Sequence, residues 1–351
     1  MRKDFFGKTR DGRSSYLYTL SNRRGLEVIL CDYGASIVLI RIPDRSGHSD
    51  DVVLGYASLA EYENDRFFMG GTIGRYANRI AGGEFRLNGI SYALAKNAPP
   101  NHLHGGHMGF HKQLWQGEEC PSAQGDAVNF SYLSRDGEEG YPGNLTVSAR
   151  FVVSSSRNDL RIAYEATADR DTIVNLTSPP YFNLAGQTSR DIFGHQLLIH
   201  ADKFTPVDAT MIPTGELRNV RSSPFDFTRL TPIGARIDAD DPQLILAGGY
   251  DHNWVLTRNS RETEIPAAQL YDPASGRRLE IFTTEPGMQF YSGNSLDGSV
   301  RGKNGESYPP RCGLCLEPQH FPDSPNHTDF PSVVLRQGER FRSATTYRFS
   351  A

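Results

Sequence analysis

The chain has 351 residues and a formal net charge of −4, with 37 lysines and arginines against 41 aspartates and glutamates. The two signs are interspersed without a basic stripe, which argues against nucleic acid as a partner. No segment approaches the roughly 18 apolar residues of a membrane span, and the start lacks the apolar core of a secretion signal, so no membrane partner is expected. The cysteines are too few for a disulfide framework, and we expect a reduced, cytoplasmic protein.

Short alternating segments separated by turn residues recur along the chain, beginning with those at 16–20, 26–31 and 36–42. The 34 glycines, the 21 prolines and an aromatic content of 11% also favour strands and turns over long helices. No linker, repeat or composition shift divides the chain. The pattern predicts an all-β protein, a single domain over residues 1–351 built as one large antiparallel β-sandwich.

Two local signals predict short elements within this pattern. Ser58 precedes a short helical segment and Glu61 occupies the capping-box position three residues later. Asn88 and Gly89 lie between two alternating segments, and this dipeptide is typical of a tight hairpin turn. The sequence therefore predicts one helical turn and one hairpin before residue 95.

The segment from Gly70 to Gly83 places Arg75 and Arg79 close together, with Asn78 between them. Its glycines let a backbone approach a ligand closely, and a guanidinium offers a fork of donors to oxygen atoms. The glycines do not match a phosphate loop, because no Gly-Lys-Ser/Thr follows them. Either arginine could instead pair with acidic groups of the protein. We favour this alternative for Arg79 and ligand binding for Arg75.

Four histidines fall between residues 101 and 111, which are His102, His104, His107 and His111. No aspartate, glutamate or cysteine accompanies them, so we expect no metal here. Histidines that donate to a neutral polyol, or act as general acid or base, fit the segment better. The alternative is a turn stabilised by imidazole hydrogen bonds, which suits His102 best.

Two later strands carry groups suited to a sugar. Asp251 and Trp254 offer a carboxylate for paired hydroxyls and a flat apolar face, although a turn aspartate and a core tryptophan are an equal alternative. Gln289 and Tyr291 are two residues apart and therefore share one face of a strand. These side chains are candidate sugar contacts.

The stretch from residue 313 to 327 begins as a strand, with Leu314 and Leu316 on one face and Cys315 and Glu317 on the other. Pro318 cannot donate to a ladder, so the strand is expected to end at or near Glu317, before a stiff, proline-rich loop. A carboxylate at this point can perform proton chemistry in a cleft. The alternative is a surface glutamate at a strand end.

Taken together, these motifs resemble those of the aldose 1-epimerases, also called galactose mutarotases, from about residue 5 to the end. The motifs that carry the resemblance occur in one order: Gly74-Arg-Tyr-Ala-Asn-Arg-Ile80, Asn101-His-Leu-His-Gly-Gly106, Tyr181-Phe-Asn-Leu184, Gly249-Tyr-Asp-His-Asn253, Gln289-Phe-Tyr-Ser-Gly-Asn294 and Leu316-Glu-Pro-Gln-His-Phe-Pro-Asp-Ser-Pro-Asn326. The resemblance implies the β-supersandwich of that family and an open sugar-binding cleft. It implies a small-molecule sugar as partner and neither metal nor organic cofactor. It leaves a monomer and a homodimer open.

The resemblance also implies roles for individual residues. Glu317 falls on the family's catalytic base. Substrate-binding positions of the family fall on Arg75, His104, Asp251 and Gln289, and we add Asn78 and Tyr291 as neighbouring candidates.

One departure concerns the catalytic acid, which in the family is a histidine before Tyr-Phe-Asn-Leu. Here the segment reads Asn175-Leu-Thr-Ser-Pro-Pro-Tyr-Phe-Asn-Leu184, and the position of that histidine is Pro179. The histidine-rich loop differs as well, since His107 and His111 replace other residues, often aspartate at the latter position. Ring opening of a pyranose needs a base at the C1 hydroxyl and an acid at the ring oxygen. Each positioned proton transfer is worth ~100- to 10,000-fold, so losing the acid should cost about 3–5 kcal/mol of barrier lowering.

Three hypotheses follow. The chain is a working mutarotase whose acid is His104, His107 or a water. Alternatively, it is an enzyme of the same fold that acts on another cyclic hemiacetal with Glu317 as base, or it is a carbohydrate-binding protein with little or no catalysis. Retention of Glu317 favours an enzyme of the isomerase class, because a binder has no evident need of a base.

Overall fold

The computed structural model describes residues 1–120, 122–187, 189–257 and 264–351. Their strands, in chain order, are β1 Arg2–Lys8, β2 Ser14–Ser21, β3 Glu27–Cys31, β4 Ser36–Pro43, β5 Ser49–Asp51, β6 Arg79–Ile80, β7 Glu84–Leu87, β8 Ile90–Ala93, β9 His102–Leu103, β10 Gln116–Glu119, β11 Gly125–Ser134, β12 Leu145–Ser154, β13 Asp159–Ala168, β14 Thr172–Ile173, β15 Gln196–Ile199, β16 Ala201–Thr205, β17 Arg218–Asn219, β18 Thr231–Pro232, β19 Asp251–Leu256, β20 Ile265–Tyr271, β21 Arg278–Thr283, β22 Gly287–Tyr291, β23 Cys315–Gln319, β24 Val334–Leu335 and β25 Arg340–Ser350. The α-helices are α1 Leu59–Asn64 and α2 Pro242–Ala247.

Three sheets contain most of these strands. The largest has nine strands in the order β10-β11-β12-β13-β25-β21-β20-β15-β18, and two others have five strands each, β1 to β5 in sequence and β17-β16-β19-β22-β23. Neighbouring strands in all three sheets run antiparallel, as in β12 with β13 and β22 with β23. The prediction of an all-β protein built as a large antiparallel sandwich is confirmed.

Alternation along the strands decides which side chains form the core. In β13, Leu160, Ile162 and Tyr164 are buried, whereas Arg161 and Glu165 point outward. A fully buried aliphatic side chain of this kind contributes about 1.5–3 kcal/mol relative to an exposed one. One buried cluster takes in residues from Tyr18 near the start of the chain to Phe349 near its end. This shared core supports our proposal that residues 1–351 form a single domain.

The sheet that ends in β23 places polar side chains in one line across three strands. Gln289 on β22 lies opposite Asn253 on β19 and opposite Glu317 on β23. The expectation that the last strand ends near Glu317 needs a correction, because β23 continues through Pro318 to Gln319. It is the outer strand of its sheet, where a residue without a backbone N–H is tolerated.

Both predicted local elements are present. The carboxylate of Glu61 accepts from the backbone N–H of Ser58, 2.9 Å away, at the start of α1. Asn88 and Gly89, with φ of 53° and 81°, join β7 to β8 as a hairpin turn. Within the residues that the structure describes, no helix is long and apolar enough to cross a membrane.

Candidate active site

A cavity of about 200 Å³ opens over one face of β19, β22 and β23. The strands supply its floor, and the segments around residues 66–79 and 103–104 supply the facing wall. The lining residues are Arg66, Phe67, Phe68, Asn78, Arg79, Leu103, His104, Pro179, Tyr181, Asp251, Gln289, Tyr291, Ser295, Cys315 and Glu317. The structure therefore brings together six of the eight residues expected at the site and leaves out Arg75 and His107.

Glu317 is the most enclosed acid of this cavity, with 4% of its surface exposed. Its Oε2 atom has no hydrogen-bond partner among the described residues. Burial, together with the nearby charge of Asp251, raises the pKa of the carboxyl to about 8, against an opposing effect of Arg79. A carboxyl group with a free oxygen and a raised pKa can accept and return a proton near neutral pH.

Asp251 is held in place from two sides. Gln289 Nε2 donates to its Oδ1 at 2.7 Å, and Arg79 Nη2 lies 3.5 Å from its Oδ2. Gln289 Oε1 has no partner among the described residues and is left to accept from a ligand. Arg79 therefore does pair with an acidic group, as the favoured alternative stated, but it does so at the wall of the cavity.

The expectation for Arg75 requires a correction. Its side chain is 1% exposed and does not line the cavity. The guanidinium donates to backbone carbonyl oxygens at Pro142, Gly143 and Ser134 and to the Ser134 hydroxyl, at 2.6–3.2 Å. Burial lowers its pKa to about 10. These bonds occupy the donors that a sugar would need, so Arg75 supports the fold and Arg79 is the arginine at the cavity.

His104 lines the cavity in a defined hydrogen-bonded state. Its Nδ1 accepts from the backbone N–H of Asn78 at 3.1 Å, so the proton of the neutral ring is on Nε2. The backbone N–H of His104 donates in return to the Asn78 carbonyl, also at 3.1 Å. Burial lowers the pKa of His104 to about 3, and the positive charge of Arg79 contributes in the same direction. The imidazole is therefore neutral at working pH and presents Nε2–H as a donor.

The other three histidines of the segment lie outside the cavity lining. His107 is exposed and does not line this cavity, so it is not placed to act as its acid. Its backbone N–H donates to the Glu139 carboxylate. The ring of His102 bridges Ala95 O and the Tyr141 hydroxyl, each at 2.6 Å, as the turn-stabilising alternative states. His111 is buried against the ring of Phe68. No group of three or more possible metal ligands occurs in the part of the chain that the structure describes.

Pro179 lines the same cavity as Glu317 and offers it no ionisable group. Its carbonyl oxygen accepts from the backbone N–H of Gly70 at 3.2 Å and from the Cys315 thiol at 3.8 Å. Two residues earlier, the Thr177 hydroxyl donates to Pro318 O at 2.8 Å. The segment with Pro179 is thus tied directly to the strand with Glu317.

Sequence reasoning missed several apolar residues of the cavity. Cys315 could have been assigned, because it lies two residues before Glu317 and shares its strand face. Phe67 and Phe68 have no comparable signal, since their loop reaches the cavity through contacts distant in sequence. One such contact is the bond from the Tyr181 hydroxyl to Phe67 O, 2.9 Å long.

Comparison with known proteins agrees with this geometry. The family model described as aldose 1-epimerase matches residues 16–348. The chain belongs to the aldose 1-epimerase family. Human galactose mutarotase is 44% identical over 325 residues, which are 93% of this chain and 91% of the human protein. Escherichia coli aldose 1-epimerase is 38% identical over 343 residues, which are 97% of each chain.

Solved structures of the aldose 1-epimerase family share its fold. An aldose epimerase homologue from C. elegans superposes with a TM-score of 0.87 at 31% identity, covering 96% of this chain and 99% of that one. Galactose 1-epimerase from Lactobacillus acidophilus gives the same TM-score at 28% identity, covering 99% and 98%. The resemblance drawn from the sequence motifs and the supersandwich fold that it implies are confirmed.

Proposed function

We propose that this chain is an aldose 1-epimerase that interconverts the α and β anomers of a hexose, with Glu317 as the base. One observation carries the proposal: the Glu317 carboxyl is buried in the cavity and has a free oxygen, with no ion pair among the described residues. Named relatives at 38–44% identity support the reaction class.

The reaction begins when Glu317 removes the proton of the C1 hydroxyl. The C1 oxygen then forms a carbonyl as the bond between C1 and the ring oxygen breaks, and the ring oxygen takes up a proton. Rotation about the bond from C1 to C2 exposes the other carbonyl face. Closure reverses every step, so Glu317 returns its proton and no net change in protonation occurs.

The ring oxygen needs a donor while negative charge develops on it. His104 is suited to this task, because its Nε2–H is fixed by the bond from Asn78 to Nδ1. A neutral imidazole stabilises the charge through a hydrogen bond and keeps its own proton. We therefore assign the proton itself to a water, which becomes hydroxide on ring opening and regains its proton from the former ring oxygen when the ring closes. The missing second titrating group predicts a slower enzyme than one with an acid in the place of Pro179.

The remaining polar groups of the cavity are proposed to bind sugar hydroxyls. Asp251 and Arg79 offer a fixed acceptor and a fixed donor, and Gln289 Oε1 is free to accept. Asn78 and Tyr291 line the same cavity, and the Tyr291 hydroxyl also contacts Ser295 Oγ at 2.5 Å. We assign these five side chains to substrate binding.

Polarimetry, or NMR exchange on α-D-glucose and α-D-galactose, tests the proposal. Wild-type protein should equilibrate the anomers faster than buffer, and Glu317→Gln should return the rate to the buffer level. Glu306→Gln, an exposed change outside the cavity, is the matched control and should retain the full rate. Full activity in Glu317→Gln would remove the assignment of the base.

Pro179 favours a second candidate, a carbohydrate-binding protein with weak catalysis or an enzyme for another cyclic hemiacetal. Rates at the buffer level together with tight hexose binding would support the binding protein. Buffer-level rates on hexoses with turnover of a different hemiacetal would support the other enzyme. The same samples distinguish these outcomes from the main proposal.

We also propose a reduced, cytoplasmic setting for the enzyme. The four cysteines are free, and Cys31, Cys312 and Cys315 are buried. Sedimentation would decide between the monomer and the homodimer, which both remain compatible with the proposal.

A further inference from the structure

A second, larger cavity shares no lining residue with the cavity that contains Glu317 and lies on the outer face of the nine-stranded sheet. It is a trough of about 940 Å³ whose lining comes mainly from β11, β12, β13 and β25. Four arginines line it, namely Arg150, Arg161, Arg340 and Arg342. Nothing in the proposed reaction uses this surface.

Strand register explains the shape of the trough. Ala163 on β13 lies opposite Arg150 on β12 and opposite Ala344 on β25, so two small side chains form the floor. Arg161 and Arg342 lie two residues before these alanines and therefore point to the same face. Long cationic side chains surround a floor of methyl groups.

The charges around this floor do not balance. Arg340 and Arg342 share a single carboxylate, Glu165, at 3.3 and 3.4 Å. Arg161 pairs with Glu264 at 2.7 Å. The exposed guanidinium of Arg150 has no hydrogen bond or ion pair among the described residues. Two positive charges are therefore in excess here, although the whole chain has a net charge of −4.

The lining also indicates which ligands do not fit. Tyr164 is its only aromatic residue, and its ring is buried toward the core. Neutral sugars and nucleobases usually need an exposed ring to stack on, and this trough offers none. Its charged donors are guanidinium forks, which match the oxygens of sulfate, phosphate and carboxylate groups. Neutral polar residues such as Asn129 and Ser148 also line it.

The trough is longer than one anion. A cavity of about 490 Å³ adjoins it through Arg161 and adds Arg157 and Asp159, and one of about 250 Å³ adjoins it through Arg340 and Arg342 and adds Glu285 and Glu339. We propose that this face binds an oligosaccharide bearing sulfate or phosphate esters, held by Arg150, Arg161 and Arg342. The site is separate from the hexose cavity and does not depend on the proposed epimerase activity.

Titration calorimetry with a sulfated tetrasaccharide tests the proposal, with a phosphorylated tetrasaccharide as a second arm to distinguish the two esters. Arg150→Gln should weaken binding by about tenfold, and Arg150→Gln with Arg342→Gln by about a hundredfold. The matched control is Arg229→Gln, which removes the same charge from an exposed site elsewhere and should leave binding unchanged. Mutarotation should be equal in all these variants.

Three results would overturn the proposal. The first is equal weakening by Arg229→Gln, which would indicate diffuse electrostatic attraction. The second is equally tight binding of a neutral tetrasaccharide or of inorganic sulfate alone, since neither uses several arginines in a row. The third is competition between the sulfated tetrasaccharide and galactose, which would move the ligand to the hexose cavity.

Discussion

Asn78 and His104 hold each other through two hydrogen bonds, one in each direction. The Asn78 N–H donates to the imidazole Nδ1 and the His104 N–H donates to the Asn78 carbonyl, both at 3.1 Å. Both residues have positive φ, 65° and 51°, which brings the two peptide groups into reach. The backbone of Asn78 thus fixes the tautomer of His104, and the Phe68 ring packs against the imidazole at a centroid distance of 4.7 Å.

This relationship predicts that His104→Ala lowers kcat/KM for mutarotation by about 100- to 1,000-fold, the usual effect of losing one donor to a developing oxyanion. The comparison is His107→Ala, which changes an exposed histidine of the same loop and should leave kcat/KM unchanged. Polarimetry at several galactose concentrations measures kcat and KM for each variant. Equal losses in the two variants would contradict the assignment.

Pro179→His should accelerate mutarotation, because it adds an ionisable group to the cavity that contains Glu317. The gain expected from a positioned proton donor is about 100-fold or more. Pro179→Asn adds a polar side chain that cannot titrate and should give no comparable gain. A gain of the same size in both variants would show that the gain comes from removing the proline ring and not from proton transfer.

The pH profile should follow the ionisation of Glu317. Its pKa of about 8 predicts that enzymatic kcat/KM rises with pH and levels off above that value, after subtraction of the buffer rate. Asp251→Asn removes a charge that raises this pKa, so the midpoint should move to lower pH. Arg79→Gln removes a charge that lowers it, so the midpoint should move to higher pH. Shifts in the same direction would contradict the electrostatic account.

Stability should change with pH through the same carboxyl. Its pKa is raised in the folded state above the ordinary value of 4.5, so the unfolded chain loses this proton first. Stability is therefore lost as pH rises from about 4.5 to about 8, by about 1.4 kcal/mol per unit of pKa difference. Glu317→Gln should make the protein more resistant to urea at pH 8.5 and hardly change it at pH 4. Lower resistance of the variant at pH 8.5 would contradict this expectation.

The two arginines of the glycine-rich segment should separate folding from binding. Arg75→Gln leaves buried carbonyl groups without their donor and should cost about 2–5 kcal/mol of unfolding free energy. Arg79→Gln should change that free energy little and should raise KM. Urea denaturation and polarimetry on the same preparations measure both effects. If the Arg75→Gln variant were as stable as the wild type but inactive, Arg75 would be the substrate-binding arginine, which would contradict this assignment.

Period-two alternation made parts of the site predictable from sequence. It assigned Leu314 and Leu316 to the core and Glu317 to the opposite face, and the structure shows both. The hairpin at Asn88 and Gly89 followed from local turn chemistry in the same way.

The choice between Arg75 and Arg79 could not be made from the sequence. Both residues are arginines with the same chemistry. The hydrogen-bond partners of Arg75, on residues 134–143, lie 59 to 68 positions further along the chain. The tautomer of His104 likewise depends on a contact with Asn78 that spacing does not reveal. Residues in loops that are held by segments distant in sequence therefore could not be assigned from the sequence.

The ties between the Pro179 segment and β23 have an evolutionary consequence. The backbone around Pro179 is already anchored by the Cys315 thiol and by the bond from Thr177 to Pro318. A single codon change at position 179 can therefore exchange the side chain that faces the sugar without rebuilding any loop. The prediction for Pro179→His implies that rapid turnover can be lost or recovered in one mutational step, with the rest of the scaffold unchanged.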